Sequence, residues 1–363
     1  MKKKILFVGP YYQQDEWGNN AKGMIDILSS IDNIELTTRP IWLSNQMSID
    51  KEDEIKYENF ENDYHAEYDV LIQNCLPQYF IKSGIAKSNV LYTSIDSFID
   101  HSSWSANIGL ADSIIVCSEL EKQIISKVAT DQQNIFNINT VPYFKQKCAK
   151  QMDFDFYQKK FLIVSGANPM HGIYEAVISY LSSFNMYDNT ILIIATSDDK
   201  AIMEQIKIIK AKLGIYQNQK LYPNIAVFST SNNEIIEFLH QNCDFYIDVG
   251  YNSKLSQGSL ASIFAGKLPI LLDINKNSVG ENYPFLVDSS KEICMNDQKP
   301  FIEMYTGEYY WHMPNTLSLK EILRAAYHNE ERNSIAKKIV AEYKESYLAN
   351  LKQKISEAIG CLQ

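Results

Sequence analysis

Short apolar runs alternate along this chain with stretches whose apolar residues recur at helical spacing. The first run, at residues 4–9, is Lys-Ile-Leu-Phe-Val-Gly and stops at a Gly-Pro pair, as a buried first strand would. A polar loop over 11–20 leads to a predicted helix with Met24, Ile25 and Leu28 on one face. Further strands are predicted at 69–73, 89–93 and 113–117, and after the last of these Ser118 stands as an N-cap with Glu119 and Glu121 in the first turn. Residues 145–160 are polar and of mixed charge, with no sustained apolar period, which marks a linker.

A second alternation then begins. A strand at 161–166 precedes a helix with Ile173, Ala176, Val177, Tyr180 and Leu181 at helical spacing. A strand at 191–195 is followed by a helix whose stripe is Ile202, Ile206, Ile209 and Leu213, with Asp198 and Asp199 at its start as cap and dipole partner. Next come a strand at 225–228, a capping-box spacing from Ser231 to Glu234, and a helix at 235–240. Residues 242–273 form one βαβ unit: an apolar run at 245–249, a polar glycine-containing loop, an apolar helix at 260–265 ending at Gly266, and a new run from Pro269. A turn and short strand at 279–287, a helix from Leu319 and a long amphipathic ending with Ile339, Tyr343, Tyr347, Leu351 and Ile355 close the chain. Packing of that ending against its own chain is the expectation. Two successive α/β patterns joined by one linker predict two doubly wound domains facing a cleft.

Composition narrows the class. At 363 residues the chain exceeds what one core usually organises. Hydrophobic residues make up 45% and charged residues 21%, proportions of a globular protein. A formal net charge of −10 argues against nucleic acid as a partner. The six cysteines are scattered without CxxC or metal-ligand spacing, which suggests a reduced, cytoplasmic setting. The apolar run after the three N-terminal lysines is too short for a signal peptide, and no stretch has membrane-spanning length. Peripheral membrane contact stays open.

Candidate chemistry lies in the loops that follow strands, where open parallel sheets bind ligands. The loop of the 242–273 unit leads into a helix whose first N–H groups suit a phosphate, although an ordinary βαβ turn gives the same pattern. Gly18, Asn19 and Asn20 permit tight backbone near the first helix, as a plain turn also would. Between two strands, residues 94–104 gather Asp96, Asp100, His101 and Trp104. Such a group can hydrogen-bond sugar hydroxyls, stack on a pyranose and, through His101, act as a base; a polar loop with a half-buried tryptophan reads equally well.

The order of elements resembles that of the GT-B glycosyltransferases, in particular the retaining family 4, or "group 1", enzymes. Residues 4–10 with Gly18 resemble the family's first strand and glycine-bearing loop. The run LADSIIVCS at 110–118 is similar to its strand at the end of the first domain, and 161–172 to its entry to the second. The stretch 234–247 and the LASIFAG run at 260–266 with Pro269 resemble the family's donor-side motifs, and the segment from Trp311 its C-terminal helices. The resemblance implies a GT-B fold of two Rossmann-like domains: 1–150 on the acceptor side, 158–330 on the nucleotide-sugar side, and a helix at 331–363 packing back toward the first. It implies a nucleotide-sugar donor, a glycan, lipid or protein acceptor, a place in cell-surface polysaccharide biosynthesis, and no metal or other cofactor. The donor would meet Gly18, Asn19, Asn168, His171, Ser253, Lys254, Gln257, Gly258, Ser259 and Leu260; Asp96, Asp100 and His101 would face the sugar or acceptor.

Departures from the family bear on chemistry. Its two glutamates, eight positions apart, fall on Ser253 and Ala261 in one register and on Lys254 and Ser262 in the other. Its diphosphate-neutralising Arg and Lys fall where this chain has Asn168, Met170 and His171. Fixed positive groups at a departing diphosphate are usually a large catalytic contribution, so Lys254, Lys267 or His171 would have to substitute. Two readings stay open: a divergent transferase, and a non-catalytic subunit that binds a carbohydrate, a peptide or an active partner in a glycosylation complex. A GT-B sugar-nucleotide epimerase fits the closing segments less well.

Overall fold

The structure is a computed structural model that describes residues 2–43, 51–62, 64–95, 98–99, 102–143, 157–166, 171–230, 232–251, 254–293 and 309–360. The chain divides into two compact units, Met1–Tyr143 with Tyr347–Gln363, and Phe144–Ser346. Most of the expected linker falls outside the described residues.

The first unit runs β1 (Lys3–Gly9), α1 (Glu16–Ser29), β2 (Ile34–Pro40), α2 (Lys51–Glu61), β3 (Tyr68–Asn74), β4 (Ala86–Tyr92), β5 (Phe98–Ile99), α3 (Ser102–Ile108), β6 (Ser113–Val116), α4 (Glu119–Ser126) and β7 (Asn134–Asn137). Its six-stranded sheet has the order β2-β1-β3-β4-β6-β7 and is parallel throughout. Ile5 pairs with Val70 and Leu91 with Ile114, so the apolar centres of the strands stand side by side. Met24, Ile25 and Leu28 of α1 are fully buried, as their spacing predicts.

Helix α1 begins earlier than its apolar stripe suggests. Asp15 caps it, and the Gly18 amide donates to Asp15 Oδ1 at 2.8 Å. Ser118 caps α4 and accepts from the Glu121 amide at 3.0 Å. The buried Glu121 carboxylate accepts from the Cys117 amide at 2.6 Å, the Ile95 amide at 3.0 Å and the Ser94 hydroxyl at 2.8 Å. One side chain thereby fixes the ends of β4 and β6 together.

The second unit runs β8 (Lys159–Val164), α5 (Ile173–Ser183), β9 (Thr190–Thr196), α6 (Asp199–Leu213), β10 (Asn224–Ser229), α7 (Asn233–Asn242), β11 (Phe245–Asp248), α8 (Gln257–Phe264), β12 (Leu268–Leu272), α9 (Lys276–Val279), β13 (Leu286–Val287), β14 (Ser289–Ile293), β15 (Tyr309–Pro314), α10 (Thr316–His328) and α11 (Glu330–Ala358). Its sheet, β10-β9-β8-β11-β12-β13, is parallel, and β14 pairs antiparallel with β15. Every residue of β9 is buried, the pattern of a strand covered by helices on both faces. Phe161 stacks on Phe245 at 5.2 Å and meets Phe184 at 5.8 Å, joining β8, β11 and α5 in one aromatic core. The cap of α7 is Asn232, which accepts from the Glu234 amide; Ser231 lies outside the described residues.

The last helix contributes to both units. From Tyr347 onward it belongs to the first, where Tyr347, Leu351 and Ile355 are buried. There the Tyr347 hydroxyl donates to the Thr140 carbonyl, and Lys352 reaches the Ser30 carbonyl at 2.7 Å.

Candidate functional site

In the second sheet the strand order reverses between β8 and β11, so the loops leaving these two strands diverge from a common point. Such a switch point is where doubly wound sheets hold ligands. The two loops meet backbone to backbone at Gly172, which precedes α5 with φ of +66°. A Cβ there would stand 2.2 Å from the Val249 carbonyl oxygen. Both the left-handed backbone and the close approach require glycine at this place.

Asp248, the last residue of β11, organises the other loop. Its Oδ2 accepts from the Ser256 hydroxyl at 2.7 Å, the Ser256 amide at 3.3 Å and the Ser259 hydroxyl. Ser256 in turn caps α8, accepting from the Ser259 amide at 3.1 Å. Burial raises the Asp248 carboxyl above its ordinary value, while the serine hydrogen bonds and the nearby His171 act in the opposite direction. A carboxylate in line with the start of α8 is also favoured by the helix dipole.

Helix α8 sits close on its own sheet. A Cβ at Gly258 would fall 2.1 Å from the Tyr246 hydroxyl oxygen, so only glycine allows this seating. Behind Tyr246, His240 Nδ1 lies 2.7 Å from the Ser262 hydroxyl, joining α7 to α8. Burial pushes the His240 imidazole down to about 3, so it is neutral.

A second carboxylate faces the same loop. Tyr251 donates its hydroxyl to Glu175 Oε1 at 3.0 Å, and its ring packs against Trp311 of β15 at 5.2 Å. Glu175 Oε2 is buried and has no hydrogen-bond partner among the described residues. Burial raises the Glu175 carboxyl, and a backbone hydrogen bond from its own amide and the Tyr251 hydroxyl partly offset this. Sequence periodicity misses Glu175, because it lies opposite the stripe of Ile173, Ala176 and Val177 and is buried by a loop some 75 residues downstream. Asp248 carried a fainter signal, a lone charge within an apolar strand.

The residues singled out from sequence fall into three groups. Asp96, Asp100, His101, Asn168 and Ser253 lie outside the described residues. His171 and Lys254 lie on the two switch-point loops, and Gln257, Gly258, Ser259 and Leu260 form the first turn of α8, which Asp248 anchors through Ser256 and Ser259. Within this group His171 is exposed, whereas Lys254 is 3% exposed and Ser259 and Leu260 are fully buried. The Ser259 and Leu260 amides are taken up inside the helix cap, the latter on the Ser256 carbonyl at 3.1 Å. Gly18 and Asn19 belong to the first unit, inside the first turn of α1. A Cβ at Gly18 would meet the Gln13 carbonyl oxygen at 2.1 Å, so a close chain approach accounts for this glycine. Trp104, a sugar-stacking candidate by sequence, is buried on α3. Among the described residues, no cluster of His, Cys, Asp or Glu is placed to hold a metal, and no helix is long and apolar enough to cross a membrane.

No family model matches the sequence, and no curated protein matches it. Solved structures do. A UDP-forming α,α-trehalose-phosphate synthase from Burkholderia xenovorans superposes with a TM-score of 0.63 at 10% identity, covering 99% of each chain. The trehalose-6-phosphate phosphatase N-terminal domain of Candida albicans gives 0.62 at 12% identity, covering 99% of this chain and 97% of that one. A sucrose-phosphate synthase from Thermosynechococcus elongatus gives 0.58 at 10% identity over 98% of both. Together with the two parallel six-stranded sheets, these likenesses show a GT-B fold of two Rossmann-like domains.

Proposed function

We propose that this protein is a glycosyltransferase of the family 4 type that moves a sugar from a nucleotide-sugar donor to a glycan, lipid or protein acceptor with retention of configuration. The observation that carries the reading is the likeness, over essentially the whole of both chains, to synthases that include a UDP-forming enzyme. The switch point of the second unit supports it, since Gly172 lets its two loops approach backbone to backbone and Gly258 lets α8 sit down on the Tyr246 hydroxyl. In this reading the donor's diphosphate lies over the start of α8, near Gly258, with His171 as the exposed basic group beside it. Asp248 keeps the cap of α8 rigid, so the site needs little reorganisation as negative charge develops on the leaving group. Retention without a protein nucleophile would rest on positioning the acceptor against the donor. The reaction needs no cofactor beyond the donor, and the setting is the cytoplasm, in cell-surface polysaccharide assembly.

A second reading, a GT-B subunit that binds without catalysing, draws on one specific observation. Lys254, the basic residue nearest the family's glutamate positions, is buried at the base of the loop, and no carboxylate replaces either glutamate in the sequence.

Thermal unfolding with a panel of nucleotides and nucleotide sugars separates these. A nucleotide at a hundred times its dissociation constant stabilises by about 2.7 kcal/mol, well within measurement. Binding together with slow donor hydrolysis is the expected result. Failure of every nucleotide to shift the transition would overturn the transferase reading.

A further inference from the structure

The first unit carries an aromatic shelf at the carboxyl ends of β1 and β2 that the donor site does not use. Trp42, two residues past β2, is 47% exposed, and its indole stacks on Tyr12, the third residue past β1, with centroids 5.8 Å apart and planes at 27°. Tyr12 is held from beneath: Tyr11 meets it edge to face at 4.9 Å, and both phenols donate to Glu61 Oε1 at 2.7 Å. Glu61, at the end of α2, is fixed in turn because Arg39 Nη1 donates to its carbonyl at 2.8 Å. An exposed indole stacked on a phenol that part-buried hydrogen bonds hold in place is a preorganised face, and much of its cost of ordering is met before any ligand arrives.

The charge around the shelf narrows the ligand. Burial raises the Tyr12 phenol, and the carboxylates of Glu61, Glu58 and Glu54 around it act in the same direction. These three carboxylates outnumber the one guanidinium placed beside them, that of Arg39, and a net acidic surround of this kind disfavours phosphate and carboxylate groups. What remains is a flat ligand with an apolar face for the indole and hydroxyls for the Glu61 carboxylate. From this juxtaposition of Trp42, Tyr12 and Glu61 at a strand-end edge, we infer a binding site for a neutral pyranose, stacked on Trp42 and hydrogen-bonded to Glu61. The inference deepens the glycosyltransferase reading by naming its acceptor as an uncharged sugar, but binding at the shelf can be measured with no donor present.

Ligand-observed NMR on the full chain provides the test. The probes are methyl glucoside, methyl galactoside, N-acetylglucosamine and N-acetylgalactosamine, set against glucose 6-phosphate and N-acetylglucosamine 6-phosphate. At least one neutral sugar should bind saturably, with the phosphorylated sugars at least tenfold weaker. Trp42→Ala should weaken the neutral sugar by tenfold or more, and Glu61→Gln by several-fold. Because Trp42 is largely exposed and loses only its stack on Tyr12, its replacement should lower the unfolding temperature only slightly and leave the nucleotide response unchanged, which separates lost binding from lost folding. No binding by any neutral sugar, equal binding by a phosphorylated one, or full affinity in Trp42→Ala would each overturn the shelf. Nucleotide binding without Trp42-dependent sugar binding sinks the shelf alone. Sugar binding without any nucleotide response sinks the transferase reading alone.

Discussion

The Tyr251 hydroxyl donates to Glu175 Oε1 across 3.0 Å, tying the loop after β11 to the first turn of α5. These are the two elements that diverge at the switch point, so this hydrogen bond acts with the close approach of Gly172 to Val249 in setting their spacing. Tyr251→Phe would leave the buried Glu175 carboxylate without its side-chain donor. A loss of about 1–3 kcal/mol of stability is expected, measured by urea denaturation at pH 7. If Tyr251→Phe matches the wild type, the bond does not fasten the loop.

Glu175 also makes a pH prediction. Burial raises its folded-state pKa above the unfolded value, so the folded protein holds the proton more tightly. Its contribution is therefore most favourable below the unfolded value, near 4.3, and is lost as pH rises through the folded value. Glu175→Gln fixes the neutral form, so its stability relative to wild type should improve between pH 4 and pH 7. Denaturation curves at the two pH values check this, and a gap that stays constant removes Glu175 as the cause.

Asp248 tests whether α8 is held from the strand or only by its own cap. Ser256→Ala removes the cap hydroxyl and one of the carboxylate's donors, and should cost about 1–2 kcal/mol. Asp248→Ala leaves the Ser256 and Ser259 hydroxyls without their acceptor and should cost about 2–3 kcal/mol. Equal losses would mean that the carboxylate adds nothing beyond the serine cap.

Gly172 and Gly214 form a natural pair of probes. Both have positive φ, +66° and +55°, but a Cβ at Gly214 meets nothing within 4 Å, whereas one at Gly172 strikes the Val249 carbonyl. Gly214→Ala should cost about 1 kcal/mol from backbone strain alone. Gly172→Ala should cost clearly more, because the two switch-point loops must also move apart. Thermal unfolding of both variants decides it; similar losses would place the whole effect in the dihedral.

Much of the fold was legible because strands covered on both faces appear as continuous apolar runs. The runs at 161–166 and 191–195 became β8 and β9, and the stripe at Ile202, Ile206 and Ile209 became the buried face of α6. Strand β2, by contrast, is written Ile-Glu-Leu-Thr-Thr-Arg-Pro, and its buried Thr37 and Thr38 read as polar positions. Helix α2 has scarcely any apolar stripe, and it turns Tyr57 and Asp53 inward through tertiary contacts that no local spacing announces. The same limit applies to chemistry. The start of α8 was legible as a strand-to-helix loop, while Glu175 and Trp42 owe their significance to neighbours remote in sequence.

His240 provides the last prediction, and it concerns acid. Its imidazole is buried between α7 and α8, against Tyr246 and 2.7 Å from the Ser262 hydroxyl, with a pKa lowered by burial to about 3. In the unfolded chain a histidine titrates near 6.5, so on acidification the unfolded state takes up the proton first. The stability that comes from holding His240 neutral is fully present above about pH 6.5 and is lost as pH falls toward about 3, by up to about 1.4 kcal/mol per pH unit. His240→Gln keeps a hydrogen-bonding group for Ser262 but cannot take up the proton. The variant should be less stable than wild type at pH 7, because the ring leaves a gap against Tyr246. It should then lose ground more slowly on acidification, so the two stability curves converge between pH 6 and pH 4. Parallel curves across that interval would show that another group drives the acid transition.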